Sequence, residues 1–367
     1  MTKLPSIHTV DMWQSLKEEK RPIVIYGMGN GADKLIARLD SLGISYADIF
    51  ASDGFVRGHT FHGIRVKSFS EIKSEYPDFV ILLSFASRLD DVIEMISLLA
   101  KEHDLYIPDM PVSEESVYFN SAFYKDHFDE IKKAYDTLCD DISKKVFSSV
   151  IRYKLSGRIN DLLEFTQTKG ELYSLISAHA PKKYCDVGAY NGDTLKEAFL
   201  YLPTVKRAVC IEPDRKTFKR LLKTAEKLTS ISVDCINAAA WSYSGDGVFM
   251  SSGNRNSSVL SSSTVSYEHR EQDVALVSVD SLGESFDYVK YDVEGAEREA
   301  LEGTHSLISD HRPILLVSLY HRSRDIFDLI NMLSEKYEGY KFYLRRLKCL
   351  PAWEIDLIMI PTLEKED

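Results

Sequence analysis

Two acidic residues, each closing a short apolar run, are the side chains whose type and spacing could do chemistry in this chain. Lys183-Lys-Tyr-Cys-Asp186-Val leads into Gly188-Ala-Tyr-Asn-Gly192-Asp193-Thr194, and Ala208-Val-Cys-Ile211 ends on Glu212. A strand, a glycine-bent turn and a helix start, in that order, form the place where an α/β protein holds a nucleotide-like ligand. An acidic residue about twenty positions further on, at the end of the next strand, suits a pair of ribose hydroxyls. The loop's own carboxylates narrow the choice of ligand. A pyrophosphate asks for bare backbone amides at a helix N-terminus, and Asp186 and Asp193 would repel it. Carboxylates accept hydrogen bonds from an ammonium and tolerate a neighbouring sulfonium. The implied cofactor is S-adenosylmethionine, with Asp186, Gly188, Ala189, Gly192, Asp193, Thr194 and Glu212 as its first contacts. For Asp193 and Thr194 a plain helix-start role is an equal alternative, because both residue types are favoured there.

The row of polar strand ends continues along the chain. Asn237 with Ala238 follows a third apolar segment, Asp292 and Glu294 a fourth, and Tyr320 with His321 a fifth. Ligands of open parallel sheets lie beyond such ends. Asn237 or the backbone at Ala238 would hold an adenine edge, or Asn237 would simply satisfy its own turn. Asp292 and Glu294 extend the expected cofactor contacts. Methyl transfer is chiefly a matter of alignment, but a hydroxyl nucleophile must also lose its proton. Either His321 or Asp292 could be that base, and histidine has the better-matched pKa; with the family resemblance given below, His321 is the expected base and Asp292 the expected positioning group. A strand-end histidine bonded to a backbone carbonyl is the plainer alternative. Asp292, Glu294 and Glu297 together invite Mg²⁺ or Ca²⁺. Acidic residues are favoured in a first helical turn regardless, and Glu297 to Leu301 reads as one, so no metal is expected.

These residues need a scaffold, and the chain supplies two alternating sets of strands and helices. In the first, strands are expected at Pro22–Tyr26, Tyr46–Phe50, Gly63–Val66, Phe79–Leu83 and Leu105–Ile107, with helices through Leu42 and from about Asp90 to Lys101. In the second, seven are expected: Tyr184–Val187, Ala208–Ile211, Ile231–Ile236, Asp287–Tyr291, Ile314–Leu319, Lys341–Leu344 and Ile355–Ile360, the last two as an antiparallel hairpin. Phe128, Ile131, Tyr135 and Leu138 recur at helical spacing between the two sets. The expected fold class is α/β: two doubly wound parallel-sheet, Rossmann-like domains joined by a helical connector. The expected boundaries are 1–110, 111–180 and 181–367, and 367 residues at 44% hydrophobic content can bury two such cores. A polar insertion from Ser242 to Asp280 separates the third and fourth strands of the second set, and its Tyr243, Arg255, Asn256 and Tyr267 are candidate acceptor contacts.

Charge and composition exclude several roles. Lys plus Arg number 45 against 56 Asp plus Glu, a net charge of -11. An acidic surface repels phosphate backbones and anionic lipid, so no nucleic-acid partner and no membrane insertion are expected. The first residues lack a signal-peptide core, which points to the cytoplasm. Five cysteines without a CxxC pair argue against zinc. The expected partner, a small-molecule or glycan acceptor, including a nucleotide-linked sugar, is what the family resemblance given below implies, and an oligomer is compatible with everything above.

A second fingerprint lies near the start. Gly27-Met-Gly29-Asn30-Gly-Ala32 satisfies GxGxxA after a strand, and Asp53 follows the next strand at a suitable distance. By itself it implies NAD and an oxidoreductase, although no catalytic partner domain for one is visible. The alternatives are a non-catalytic nucleotide-sugar or cofactor-binding module and a fold that binds nothing.

Asp186-Val-Gly-Ala-Tyr-Asn-Gly-Asp-Thr194, Glu212-Pro-Asp214, Asn237-Ala-Ala-Ala-Trp-Ser242, Val279-Asp-Ser-Leu282, Tyr288-Val-Lys-Tyr-Asp-Val-Glu-Gly-Ala-Glu297 and Tyr320-His321 resemble, in order, the motif series of FkbM-type methyltransferases. The resemblance covers residues 181 to about 345. It implies a seven-stranded class I methyltransferase fold, use of S-adenosylmethionine through Asp186, Gly188 and Glu212, and methylation of a hydroxyl on a sugar or a secondary metabolite. O-methylation of a sugar in glycan biosynthesis is the expected activity. Gly63-Ile-Arg-Val66 with Ser84-Phe-Ala-Ser87 loosely resembles nucleotide-sugar-binding domains that precede some sugar-modifying transferases.

Overall fold

The computed structural model describes residues 3–56, 58–112, 117–251, 258–259 and 270–362. Arg255, Asn256 and Tyr267 therefore lie outside the described residues. The chain is α/β, and its two larger sheets are a five-stranded all-parallel one and a seven-stranded mixed one.

The first sheet has the order β3-β2-β1-β4-β5, built from β1 (Ile23–Tyr26), β2 (Asp48–Ala51), β3 (Lys67–Ser68), β4 (Val80–Leu83) and β5 (Asp104–Tyr106). Every residue of β1 and β4 is buried. Continuous runs such as Ile-Val-Ile-Tyr suit a strand covered by helices on both faces. Helices α1 (Asn30–Leu42) and α2 (Asp90–Glu102) supply part of that cover. One expectation is corrected here. Gly63–Val66 is not a sheet strand, because Ile64–Arg65 turns back on Thr60–Phe61 as a two-stranded hairpin and the chain joins the sheet only at Lys67–Ser68. Gly63 at φ +78 makes the hairpin turn, a conformation the period-two pattern around it does not reveal.

The helical stretch resolves into α3 (Phe128–Thr137), α4 (Asp141–Ser156) and α5 (Lys169–Ser177), among shorter turns. Asp140 caps α4 by accepting from the Ser143 N–H at 2.8 Å, and left-handed Gly157 ends it. Val146, Phe147, Val150, Ile151 and Tyr153 of α4 are fully buried. They belong to one continuous cluster that also holds Tyr26 and Phe50 of the first sheet and Val187 and Val289 of the second. The connector is therefore core, and losing it would expose apolar surface of both sheets.

The second sheet follows the expected strand list closely. It has the order β8-β7-β6-β9-β10-β12-β11, with β6 (Lys183–Val187), β7 (Arg207–Ile211), β8 (Ser232–Ile236), β9 (Tyr288–Tyr291), β10 (Ile314–Ser318), β11 (Tyr340–Arg346) and β12 (Ile355–Pro361). The last strand pairs antiparallel with both β10 and β11. Helices α6 (Asp193–Tyr201) and α7 (Arg215–Ala225) follow β6 and β7, and α8 (Glu297–Glu302) and α9 (Asp325–Lys336) follow β9 and β10. The polar insertion contributes Gly245–Ser251, Ser258–Val259 and Arg270–Val277 to a small sheet, which Ala238–Ala240, just before the insertion, joins by parallel pairing with Arg270–Val277.

The two sheets meet at the β11–β12 turn. Ser87 and Leu350 exchange backbone hydrogen bonds of 2.8 and 2.9 Å, as a one-residue extension of strand pairing between the halves. Lys348 adds a 2.6 Å ion pair to Asp90, and Arg88 pairs with Glu354. Among the described residues no helix is long and apolar enough to cross a membrane.

Candidate functional site

The carboxyl ends of β6, β7, β9 and β10 open into a cleft enclosing about 1360 Å³, its solvent-open mouth included. Crossing from β6 to β9 at this edge leaves a crevice, the switch point where open α/β sheets bind.

Glu212 is the best-defined wall residue. Its Oε2 accepts from the Tyr190 N–H and its Oε1 from the Asp214 N–H, both at 2.9 Å. Asn237 braces it from behind, donating from Nδ2 to the Glu212 and Pro213 carbonyls at 2.8 and 3.0 Å. Burial pushes the Glu212 carboxyl up to about 8, against the two backbone N–H bonds, which favour the carboxylate. The group is fixed in place and has lone pairs left for hydroxyl donors.

Gly188 lets the cleft close around it. Its backbone is left-handed (φ +83), and a Cβ there would lie 1.9 Å from the Asp292 carbonyl oxygen. The turn and the end of β9 can touch only because no side chain stands between them. Tyr190, Glu294 and Glu354 are non-glycine residues with positive φ, at +48, +54 and +58, and all three line the cleft. Such strain concentrates where function fixes the backbone.

Not every expected contact reaches the wall. Gly188, Asp193, Thr194, Glu212, Asp292 and Glu294 line the cleft. Asp186 is fully buried below it, accepting from Thr194 Oγ1 at 2.6 Å with Lys290 Nζ at 3.9 Å. Burial raises its pKa, with Lys290 and Thr194 opposing. Its place is under the turn, bracing the start of α6. Ala189 is enclosed and bonded to the Ile211 carbonyl, and Gly192 is the left-handed N-cap of α6. Ala238 is buried, and its neighbours Ala239 and Ala240 face the cleft in its stead. Asn237 acts on Glu212, as its two carbonyl bonds show.

The expected base is held differently from what a base needs. His321 has no exposed surface; its Nδ1 is 2.8 Å from Glu297 Oε1, and its Nε2 is 3.3 Å from Asp292 Oδ1 and 3.5 Å from Glu294 Oε2. Burial alone would lower its pKa, but the three carboxylates outweigh burial and push it up to about 10. Asp292 faces the cleft, with Tyr320 Oη donating to it at 3.1 Å and Lys290 Nζ at 3.4 Å. Burial works against its charge, yet Lys290 and His321 hold its carboxyl below the usual range.

Several wall residues escaped the sequence reading. Lys290 points from β9 toward Asp186 and Asp292, and burial that would lower its pKa is outweighed by those carboxylates. A lysine inside an apolar strand run was the available signal, since lysine is seldom buried unpaired. Asp356 of β12 and Glu354 add carboxylates to the far side. Arg88 reaches the same wall from the loop after β4, and Lys169 and Tyr173 reach it from α5. Nothing in the local sequence marks Arg88, because its role depends on how the two halves dock.

The N-terminal fingerprint has a different geometry. A Cβ on Gly31 would lie 2.0 Å from the Ser84 carbonyl oxygen, and one on Gly27 would lie 2.7 Å from Phe85 and Ser84 side-chain atoms. Packing of the β4 end against this turn thus accounts for both glycines. Gly29 caps α1, Ala32 is buried, and Asn30 lines a second, largely apolar cleft closed by Trp353. Asp53 sits exposed on a short 3-10 turn past β2 and off that cleft's wall.

Residues 186–342 match the family model for the methyltransferase FkbM domain. No curated protein matches the chain. Among solved structures, methyltransferase FkbM from Methylobacillus flagellatus KT is similar at TM-score 0.68 and 19% identity, over 97% of this chain and 94% of its own. That likeness is one of fold and takes in both sheets. A putative methyltransferase, yhhF, from Escherichia coli matches 53% of this chain and 86% of its own at TM-score 0.32 and 14% identity. A precorrin-6y C5,15-methyltransferase from Geobacter metallireducens GS-15 matches 54% and 90% at TM-score 0.32 and 12% identity.

Proposed function

We propose, from the match of residues 186–342 to the methyltransferase FkbM domain model, that the protein moves the methyl group of S-adenosylmethionine onto a sugar hydroxyl in glycan or polysaccharide assembly. The observation that carries this reading is Glu212, locked by two backbone amides at the end of the second strand with its remaining lone pairs toward the cleft. A diol fits that acceptor. A diphosphate does not, because Asp193, Glu212, Asp214, Asp292 and Glu294 all line the same cleft. The residues present therefore fit the cofactor: Glu212 for the ribose, Ala239 and Ala240 for the apolar face of the base, and the Gly188 turn with Asp193 for the amino-acid end.

When bound, S-adenosylmethionine supplies a methyl group already activated by its sulfonium. The protein's part is to align the acceptor oxygen and take its proton. Asp292 is the carboxylate that meets the hydroxyl. His321, enclosed behind it, is a positioning residue that fixes Asp292 and Glu294. The cleft lining also carries hydrogen-bonding side chains at Arg88, Lys169, Ser318, Tyr320 and Glu354, which suit a hydroxyl-rich acceptor. The test is mass spectrometry of sugars and nucleotide sugars incubated with protein and cofactor. The reading predicts a product one methyl group heavier; transfer to amines alone, or to no sugar although the cofactor binds, would overturn the acceptor class.

Arg88 gives this reading a handle on the first half of the chain. Its guanidinium lines the cleft beside Glu354 while its backbone neighbour Ser87 is pinned to Leu350. Arg88→Ala is expected to raise the acceptor KM about tenfold, the loss of one charge-assisted hydrogen bond, and to leave S-adenosylhomocysteine affinity within twofold. Calorimetry alongside steady-state kinetics separates the two effects. Equal loss of both would place Arg88 in the fold and not at the acceptor.

A further inference from the structure

We propose that the cleft at the carboxyl ends of β1, β4 and β5 is a second part of the acceptor site, and that the acceptor is a sugar joined to an apolar, ring-bearing group seated there. For the sugar this rests on the methyl-transfer reading. In the first sheet the chain runs outward from β1 through β2 to β3 on one side and through β4 to β5 on the other, so the crevice between β1 and β4 is that sheet's own switch point. The cleft opens there. Its walls come from both halves of the chain: Met28 follows β1, Phe85 follows β4, Met110 follows β5, and Pro351 with Trp353 closes it from the β11–β12 turn.

The lining selects the ligand. Apolar and aromatic side chains dominate it, with Asn30 and Ser84 as polar points, and that mixture is the make-up of a small-molecule site. Among the described residues Lys34 is the only charged side chain on its wall, and Lys34 Nζ donates to the Val112 and Pro111 carbonyls at 3.1 and 3.4 Å. A diphosphate would find no second cation. Trp353 and Phe85 offer ring surface, and Met28 and Met110 offer polarizable sulfur that contacts ring edges well. An aromatic group fits this wall better than a charged one.

Position ties the cleft to the one in the second sheet. Ser87 and Leu350 form a one-residue antiparallel bridge through backbone bonds of 2.8 and 2.9 Å, and this seam is also the partition between the two clefts. Ala86 and Pro351, one residue to one side of it, line the first; Arg88 and Leu347, to the other side, line the second. Glu354, at φ +58, lines the second cleft and pairs with Arg88, whereas Trp353 just before it lines the first. From Ala86 to Arg88 is about 7 Å of extended chain, a span that a sugar and one attached ring cover. The sugar then lies beside Arg88 and Glu354, and the ring beside Trp353.

Methyl and 4-nitrophenyl glycosides of the same sugars, compared as acceptors in steady-state kinetics, test the second site. The aryl glycoside is expected to show a KM about tenfold below that of its methyl counterpart, as burial of one ring against aromatic side chains allows. Trp353→Ala, and Met28→Glu from the other half of the chain, should each bring the two KM values together while S-adenosylhomocysteine affinity, by calorimetry, stays at the parental value. Equal KM values in the parent, or a preference that survives both substitutions, overturn the proposal. Binding keeps the two readings apart. 4-Nitrophenyl glycosides should quench part of the parent protein's tryptophan fluorescence, and that part should be missing in Trp353→Phe. Such quenching without methylation of any sugar sinks only the methyl-transfer reading, and methylation with neither quenching nor aryl preference sinks only the second site.

Discussion

Glu212→Ala is expected to weaken S-adenosylhomocysteine binding at least a hundredfold in calorimetry. On the proposed reading the carboxylate meets two ribose hydroxyls, and hydrogen bonds to a charged acceptor contribute about 1.5–3 kcal/mol each. The loss also frees the Tyr190 and Asp214 amides that the side chain now holds. A pH signature accompanies it. The folded value of about 8 lies above the ordinary 4.5 because burial disfavours the charge, with Asp214 and Glu294 adding to the rise. A carboxyl raised in the folded state contributes stability below about 4.5 that is lost as pH climbs through about 8. Glu212→Gln removes that loss, so its melting temperature should rise relative to the parent across this window and match it at the acid end. Cofactor affinity in the parent should increase toward pH 8 and level off above it, as the ionised acceptor becomes the resting form. A flat affinity profile would mean that this carboxylate does not meet the ribose.

Gly188→Ala should be the most damaging single-methyl change in the chain. The added Cβ would sit 1.9 Å from the Asp292 carbonyl oxygen, and the φ of +83 is one that a side chain resists. Left-handed strain of about 1–2 kcal/mol adds to overpacking of about 1–3 kcal/mol. The melting temperature should fall by roughly 10 °C at about 2–4 °C per kcal/mol, or soluble protein should be lost. If the structure instead relaxes by parting β6 from β9, Asp292 moves with it and cofactor binding disappears at modest cost in stability. Gly54→Ala, at a position with ordinary φ and open space around it, is the matched control and should be silent. A Gly188→Ala protein with parental stability and parental affinity would refute the close approach of the turn to β9.

Much of the second sheet was legible because its strands are short apolar runs ending on polar residues, and burial on both faces writes that pattern directly into the sequence. The antiparallel last pair was legible from the short segment between Arg345 and Trp353. The first sheet's third strand was not, because Lys67–Ser68 pairs through only two residues and carries no apolar run. At the site, Glu212 and Gly188 could be located by order along the chain. Asp186 could not be told from a wall residue, since the strand end gives its position but not the Thr194 hydroxyl and Lys290 that hold it below the surface. His321 was visible as chemistry, while its enclosure by Glu297, a residue on another element, was not. Arg88 and Lys169 lie far from the motif series and reach the cleft only through docking and the connector. Sequence order conveys what a strand end offers; the depth at which it is offered is set by tertiary packing.

The account turns on what the β6–β7 edge of the second sheet binds, and a crystal structure of the protein grown with S-adenosylhomocysteine measures that directly. The predicted result is the nucleoside in the cleft with both ribose hydroxyls on Glu212, the base against Ala239 and Ala240, and the amino-acid end at the Gly188 turn. An unfilled cleft at saturating ligand, or a ligand seated with its ribose away from Glu212, would contradict it.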